Sequence, residues 1–341
     1  MAGVNSGHKE AARAMGRTTL AVKSATDLGL KRTQNEDSHG LWAPEDDSER
    51  DRRGVLMVVA DGMGGSQAGV VASRLAVDTV IKSYEEADGG DLLENLQSAV
   101  LAANEAVHAE SQAHPDLTGM GTTCTAVVVQ DRHALVAHVG DSRAYLVRDA
   151  HIRKLTRDHS LVAQLVQRRE LTPEQARLDP RRNVVTRSVG VGPEVEVDAE
   201  RLDVPLLRGD TLLLCSDGLH GLVGDDELAE VASGQNLDEA CAELIAMAND
   251  RGGPDNITVV LARVEDLDDT LDLEPKTVSR AAGAAPARTS TRTMMMWLIV
   301  ALVVLLLALV GIFWLVQRLG QNATALDHAS ARDVPSEGTW A

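Results

Sequence analysis

Three residues separate the apolar, β-branched run CTAVVVQ (124–130) from ALVAHVG (134–140), and two separate that run from RAYLVRDA (143–150). A parallel crossover needs a dozen or more residues, so these runs must pair as antiparallel hairpins. Similar runs occur at GVLMVVA (54–60), DTLLLCS (210–216) and NITVVLARV (256–264). Helical stretches lie at 66–84, 91–112, 160–170 and 236–250. In the first of them Val70, Val71, Leu75, Val77, Val80 and Ile81 recur at helical spacing. Long helices beside an antiparallel sheet predict a layered α+β fold. Only seven residues are aromatic, so Val, Leu, Ile, Ala and Met must fill the core.

The globular part is predicted over 18–265. Residues 1–17 form an N-terminal tail without the apolar core of a signal peptide. Residues 266–293 read as a flexible linker. Its acidic start belongs to EDLDDTLDLEP, and SRAAGAAPARTSTRT follows. Met294 to Val316 is 23 residues without a charge. At about 1.5 Å per residue it spans about 35 Å, enough for a transmembrane helix. Trp297 and Trp314 lie near its ends, as interfacial anchors would. Arg280, Arg288 and Arg292 precede it, and only Arg318 lies close after it. That bias predicts a single-pass protein of the inner (cytoplasmic) membrane with its large domain in the cytoplasm. Residues 317–341 are then a short tail across the membrane, too small to fold alone.

The formal net charge is −18, which argues against nucleic acid as a partner. Such an excess suits solubility, and it also suits metal sites. Cys124, Cys215 and Cys241 form no CxxC pair, so neither a disulfide framework nor a zinc site is expected.

The stretch VVADGMGGSQAG (58–69) ends an apolar run in an aspartate and follows it with glycines. It lacks the lysine of a Walker loop. Gln67 stands where a dinucleotide fingerprint needs its third glycine. Alone, the stretch fits a structural turn as well as a metal site. The other carboxylates tip the balance. Asp61, Asp141 and Asp217 each follow an apolar run directly, Asp255 directly precedes one, and Glu36 and Asp37 lie in QNED. Burying such carboxylates costs several kcal/mol each unless they are paired. Together they favour a divalent metal centre, and oxygen-only ligands suit Mg²⁺ or Mn²⁺.

Six stretches in order, RTQNEDS (32–38), VADGMGG (59–65), GMGTT (119–123), VGDSRAY (139–145), CSDGL (215–219) and GGPDNIT (252–258), resemble the metal-dependent PPM (protein phosphatase 2C-type) serine/threonine phosphatases in their bacterial form. The resemblance implies a four-layer αββα sandwich of two antiparallel sheets flanked by helices. It implies two Mn²⁺ or Mg²⁺ ions. Asp61 would bridge both, the Gly62 carbonyl would bind one, and Asp217 and Asp255 would bind the other. Glu36 and Asp37 would bind or orient water, and Arg32 would grip the phosphate. Asp141 would help hold a third, weaker metal. Asn183 stands where bacterial relatives often carry a serine ligand for it. Animal members carry a histidine just after the DG that is proposed as general acid. Met63 stands there, so water must protonate the leaving group.

The implied activity is hydrolysis of phosphoserine and phosphothreonine on proteins, opposing a serine/threonine kinase, with no phosphoenzyme. The alternative is a pseudophosphatase that binds phosphoproteins as a signalling scaffold; intact Asp61, Asp217 and Asp255 argue against it. A small-molecule phosphoesterase is a third reading. His138 is expected in the core or behind the site, His159 in the loop leading to the flap (160–190), and Arg143 in a structural role. The basic run QRRELTPEQARLDPRR (167–182) fits a solvated face and a surface for phosphorylated substrates equally well.

Overall fold

The computed structural model describes residues 18–87 and 89–267. In chain order the strands are β1 (Thr18–Asp27), β2 (Asp37–Trp42), β3 (Val55–Met63), β4 (Gly121–Thr122), β5 (Cys124–Gln130), β6 (His133–Val139), β7 (Arg143–Arg148), β8 (His151–Lys154), β9 (Asp198–Arg201), β10 (Thr211–Cys215) and β11 (Ile257–Leu267). The helices are α1 (Asp47–Arg53), α2 (Ser66–Glu86), α3 (Leu92–Ala113), α4 (Leu161–Gln167), α5 (Pro173–Leu178), α6 (Asp217–His220), α7 (Asp225–Ala232) and α8 (Leu237–Asp250).

One sheet runs β1-β11-β10-β7-β8 and the other β2-β3-β5-β6-β9, with β4 paired to β3. Their pairings are antiparallel, and the expected hairpins β5–β6 and β7–β8 are among them. The apolar runs are continuous because each central strand is covered on both faces. On β3, Leu56, Val58 and Ala60 join a core with α2 and α3, while Met57 and Val59 join the core between the sheets. On β10, Leu212 and Leu214 face that middle core, and Leu213 and Cys215 face α7 and α8. Three cores therefore separate four layers, helix–sheet–sheet–helix, each strand dividing its side chains with a period of two.

Several elements differ from the sequence reading. β11 runs to Leu267, so the acidic stretch begins inside a strand, with Asp266 opposite Thr19. The helix expected at 160–170 is α4, and a second short helix, α5, follows it beyond that range. Arg169 takes a positive φ after α4, and a Thr172–Gln175 capping box with Pro173 starts α5. The predicted N-terminal tail, most of the linker, the 294–316 segment and the 317–341 tail lie outside the described residues. Among the described residues no helix is long and apolar enough to cross a membrane.

Candidate metal centre

The acidic cluster sits where the two inner sheets end. Asp37 opens β2 and lies directly opposite Asp61 of β3. From the other sheet, Asp217 follows β10 as the first residue of α6, and Asp255 lies just before β11. The Asp61 side chain is within hydrogen-bonding reach of Asp217. Asp141 stands between β6 and β7. Asp37 and Asp141 are buried; Asp61, Asp217 and Asp255 are half-buried.

The two DG dipeptides share one steric cause. A Cβ on Gly62 would lie 2.1 Å from the Gly69 carbonyl oxygen, and one on Gly218 would lie 1.9 Å from that of Asn256. Only glycine lets the chain pass so close after each aspartate. Hydroxyl and amide groups then fix the carboxylates. The Asp61 carbonyl accepts from Thr122 Oγ1 and Thr123 N, both at 2.9 Å. The Asp61 amide donates to Thr123 Oγ1 at 2.8 Å, and that oxygen lies 2.7 Å from Ser142 Oγ. Ser216 Oγ donates to Asp37 Oδ2 at 2.6 Å. Asn256 accepts the Glu36 amide at 2.8 Å and donates to the Leu28 and Gln34 carbonyls. His220 Nε2 lies 2.9 Å from the Asp141 carbonyl, and burial pushes its pKa down to about 3. It is therefore neutral and donates.

The cluster is crowded with like charge. Burial, joined by the charges of Asp217 and Asp255, pushes Asp37 up to about 7 despite the Ser216 bond. Burial and Asp217 push Asp141 up to about 8. Burial and Asp255 push Asp217 up to about 6. Asp61 is raised well above its ordinary value, by burial first and Asp37 next. The Oδ1 atom of Asp217 is buried without a hydrogen-bond partner. Such an oxygen, among carboxylates and backbone carbonyls, fits a divalent cation of the Mn²⁺ or Mg²⁺ kind. Among the described residues no three acidic, histidine or cysteine side chains already close on one point at coordinating distance. Arg32 Nη2 binds Asp255 Oδ2 at 2.8 Å, and Nη1 binds Glu36 Oε1 at 3.3 Å.

Thus Arg32, Glu36, Asp37, Asp61, Gly62, Asp217 and Asp255 are brought together. Arg32 sits at the mouth, 41% exposed, but its present partners are carboxylates. Asp141 adjoins the group through its charge coupling to Asp217. Asn183 lies exposed in the flap turn, and among the described residues no hydrogen bond joins it to the cluster. The charge of its neighbour Arg182 lowers the pKa of Asp217. The sequence reading did not single out Arg182, since one arginine in a basic run carries no signal of its own. It also missed Thr122, Thr123, Ser142, Ser216 and Asn256, although the quoted motifs contain them.

His138 is buried behind the site, bonded to Thr125 Oγ1 at 2.9 Å and to the Arg157 carbonyl at 3.2 Å. His159 precedes α4, and its Nδ1 accepts the Gly140 amide at 3.1 Å. Arg143 binds both Asp158 oxygens and the Tyr145 hydroxyl, a structural part.

Residues 31–264 match the family Protein phosphatase 2C. The serine/threonine protein phosphatase PstP of Mycobacterium tuberculosis is 40% identical over 256 residues, 74% of this chain and 47% of that protein. The chain thus spans about half the length of that relative. The serine/threonine phosphatase stp of Listeria monocytogenes serotype 4b is 40% identical over 241 residues, 69% of this chain and 92% of the relative. The crystal structure of the PstP catalytic domain with 2 manganese ions has a TM-score of 0.64 at 38% identity, covering 73% of this chain and 100% of that one.

The raised carboxylates make a pH prediction. Their folded pKa values exceed the unfolded value of about 3.9, so the folded chain holds protons that the unfolded chain has released. Stability from these groups is fully present below about pH 4 and is lost progressively as pH rises toward and through the folded values, the last of it through those of Asp141 and Asp61. Above about pH 7 the lowered histidines are neutral in both states and no longer contribute to the slope. In EDTA, Tm should therefore fall from pH 7 to pH 9, less steeply in Asp61→Asn, and excess Mg²⁺ should flatten the fall. A Tm in EDTA that is level or rising over this range contradicts the electrostatics described.

Proposed function

The chain belongs to the protein phosphatase 2C family, and from that premise we propose that it hydrolyses phosphoserine and phosphothreonine in proteins with water at a centre of two Mn²⁺ or Mg²⁺ ions. One observation carries the reading: Asp37 and Asp61 of one sheet meet Asp217 of the other, and an Asp217 oxygen has no partner. Asp61 and the Gly62 carbonyl would hold one cation, and Asp61, Asp217 and Asp255 the other. Asp141 would help hold a third, weaker one. Bound there, the cations supply positive charge for the phosphoryl oxygens and make water nucleophilic near neutral pH.

The chain's own groups do the rest. The Arg32 fork matches two phosphoryl oxygens and exchanges Glu36 and Asp255 for them. Asp37, fixed by Ser216, and Glu36, fixed through its amide by Asn256, accept hydrogen bonds from the attacking water and set its line to phosphorus. No cysteine takes part. Burial pushes the thiols of Cys124 and Cys215 up to about 12 and that of Cys241 up to about 11. Met63 cannot donate a proton, so the leaving oxygen takes its proton from water.

Phosphate release from a phosphothreonine peptide in Mn²⁺ tests the reading. Wild type should turn over, and Asp61→Asn should lose about 10³-fold or more in kcat, several kcal/mol of transition-state stabilisation. Equal, negligible release by both would leave a phosphoprotein-binding scaffold. Faster turnover of nucleotides or sugar phosphates than of the peptide would indicate a small-molecule phosphoesterase.

The apolar run 294–316 and its flanking arginines support a further part of the proposal. The domain is tethered on the cytoplasmic side of the inner membrane, where it opposes a serine/threonine kinase. Cell fractionation should find the full chain in membranes and a chain lacking 294–341 in the soluble fraction. Recovery of the full chain as soluble protein would refute the tether.

A further inference from the structure

The flap is anchored to the metal centre at its base. Ser160 bridges Val185, and Thr186 N donates to the His159 carbonyl at 2.7 Å. Val189 bridges Thr122, the residue whose hydroxyl holds the Asp61 carbonyl. At its other end His159 N donates to the Gly140 carbonyl at 2.6 Å, beside Asp141. The intervening surface therefore borders the mouth of the site.

Its charge opposes that of the chain. In a protein of net charge −18, residues 168–182 carry five arginines against three carboxylates. Of those carboxylates, Asp179 is bound by Arg181 through two contacts of 2.9 Å. Arg168 and Arg169, at the exposed end of α4, have no ion pair among the described residues. A helix C-terminus favours a nearby cation, but that accounts for one arginine rather than for the whole run. Beside them Leu178 is 84% exposed and Val184 46% exposed, Leu178 being the most exposed large apolar side chain among the described residues. A basic surface with projecting apolar side chains, next to a phosphate-cleaving site, complements an acidic segment that carries an apolar residue.

We propose that Arg168, Arg169, Arg177 and Leu178 dock the acidic flank of a phosphoprotein substrate, so that phosphoserine or phosphothreonine beside Asp, Glu or a second phosphate is the preferred target. This rests on the phosphatase reading and adds the substrate class to it. The arginines hold the flank in place and leave the chemical step untouched. Their effect falls on KM and is screened by salt.

The test uses the full chain in detergent with Mn²⁺ and three substrates. Two are phosphothreonine peptides identical except that four flanking Asp in one are Asn in the other. The third is p-nitrophenyl phosphate, which has no flank. Wild type should favour the acidic peptide in kcat/KM by about fivefold to tenfold at low ionic strength, the scale of a few exposed charge pairs. The double variant Arg168→Gln/Arg169→Gln should reduce that ratio through KM, and Leu178→Ala should raise KM for both peptides alike. Turnover of p-nitrophenyl phosphate should stay at the wild-type rate, which also reports intact folding. A ratio near one in wild type, a ratio unchanged in the arginine double variant, or an unchanged peptide KM in Leu178→Ala overturns the docking surface while leaving the phosphatase reading intact. Failure to hydrolyse any of the three overturns both. An acid preference that emerges only after Asp268, Asp269 and Asp272 are changed to Asn would assign the surface to the chain's own acidic stretch and overturn the substrate assignment.

Discussion

Repulsion among carboxylates at the joint end of two sheets is the constraint around which the rest of this domain is arranged. Asp37 and Asp61 face each other across a strand pair, a placement that like charges normally disfavour. Asp217 and Asp255 arrive from the second sheet. The fold does not relieve the crowding by spreading the side chains into solvent. It fixes their backbones instead, with Thr122 and Thr123 on Asp61, Asn256 on Glu36 and His220 on Asp141. Rigid backbones with unsatisfied charge are what a divalent cation requires, because its ligands then need little reorganisation on binding.

Two inward-facing acids elsewhere have arginine partners. Asp158 is gripped by Arg143, whose guanidinium outweighs burial and holds its carboxyl well below the usual range. Asp210 is matched by Arg148 at 2.8 and 2.6 Å. Among the described residues, the arginine that ion-pairs with the central cluster is Arg32, at its rim. The three cores supply the stiffness behind the cluster, since each strand that ends in a functional aspartate is clamped on both faces.

The central strands could be read from the sequence because they are continuous β-branched runs, and burial on both faces is what makes them continuous. β1 and β2 were harder. TTLAVKSATD is an edge strand with four of its ten residues exposed, and DSHGLW carries a glycine and a histidine. The one-turn α6 and the short α1 and α5 hold too few residues for a periodic signal. At the site the aspartates were visible because each adjoins an apolar run, and the ordered motifs pointed to their shared chemistry. The small hydroxyls that hold them were not visible. Ser216 and Thr123 act across 179 and 62 residues of chain, and no local pattern encodes such contacts. Arg32 shows the same limit: sequence placed it at the phosphate, and the structure adds its bonds to Glu36 and Asp255.

The central claim is that these like charges are kept together as a binding site for divalent cations. Calorimetric titration of the chelated chain with Mn²⁺ tests it most directly. The account predicts saturable uptake of two tightly bound ions, the number in the PstP catalytic domain, and loss of tight binding in Asp61→Asn. Absence of saturable uptake, or the same uptake in the variant, would contradict it.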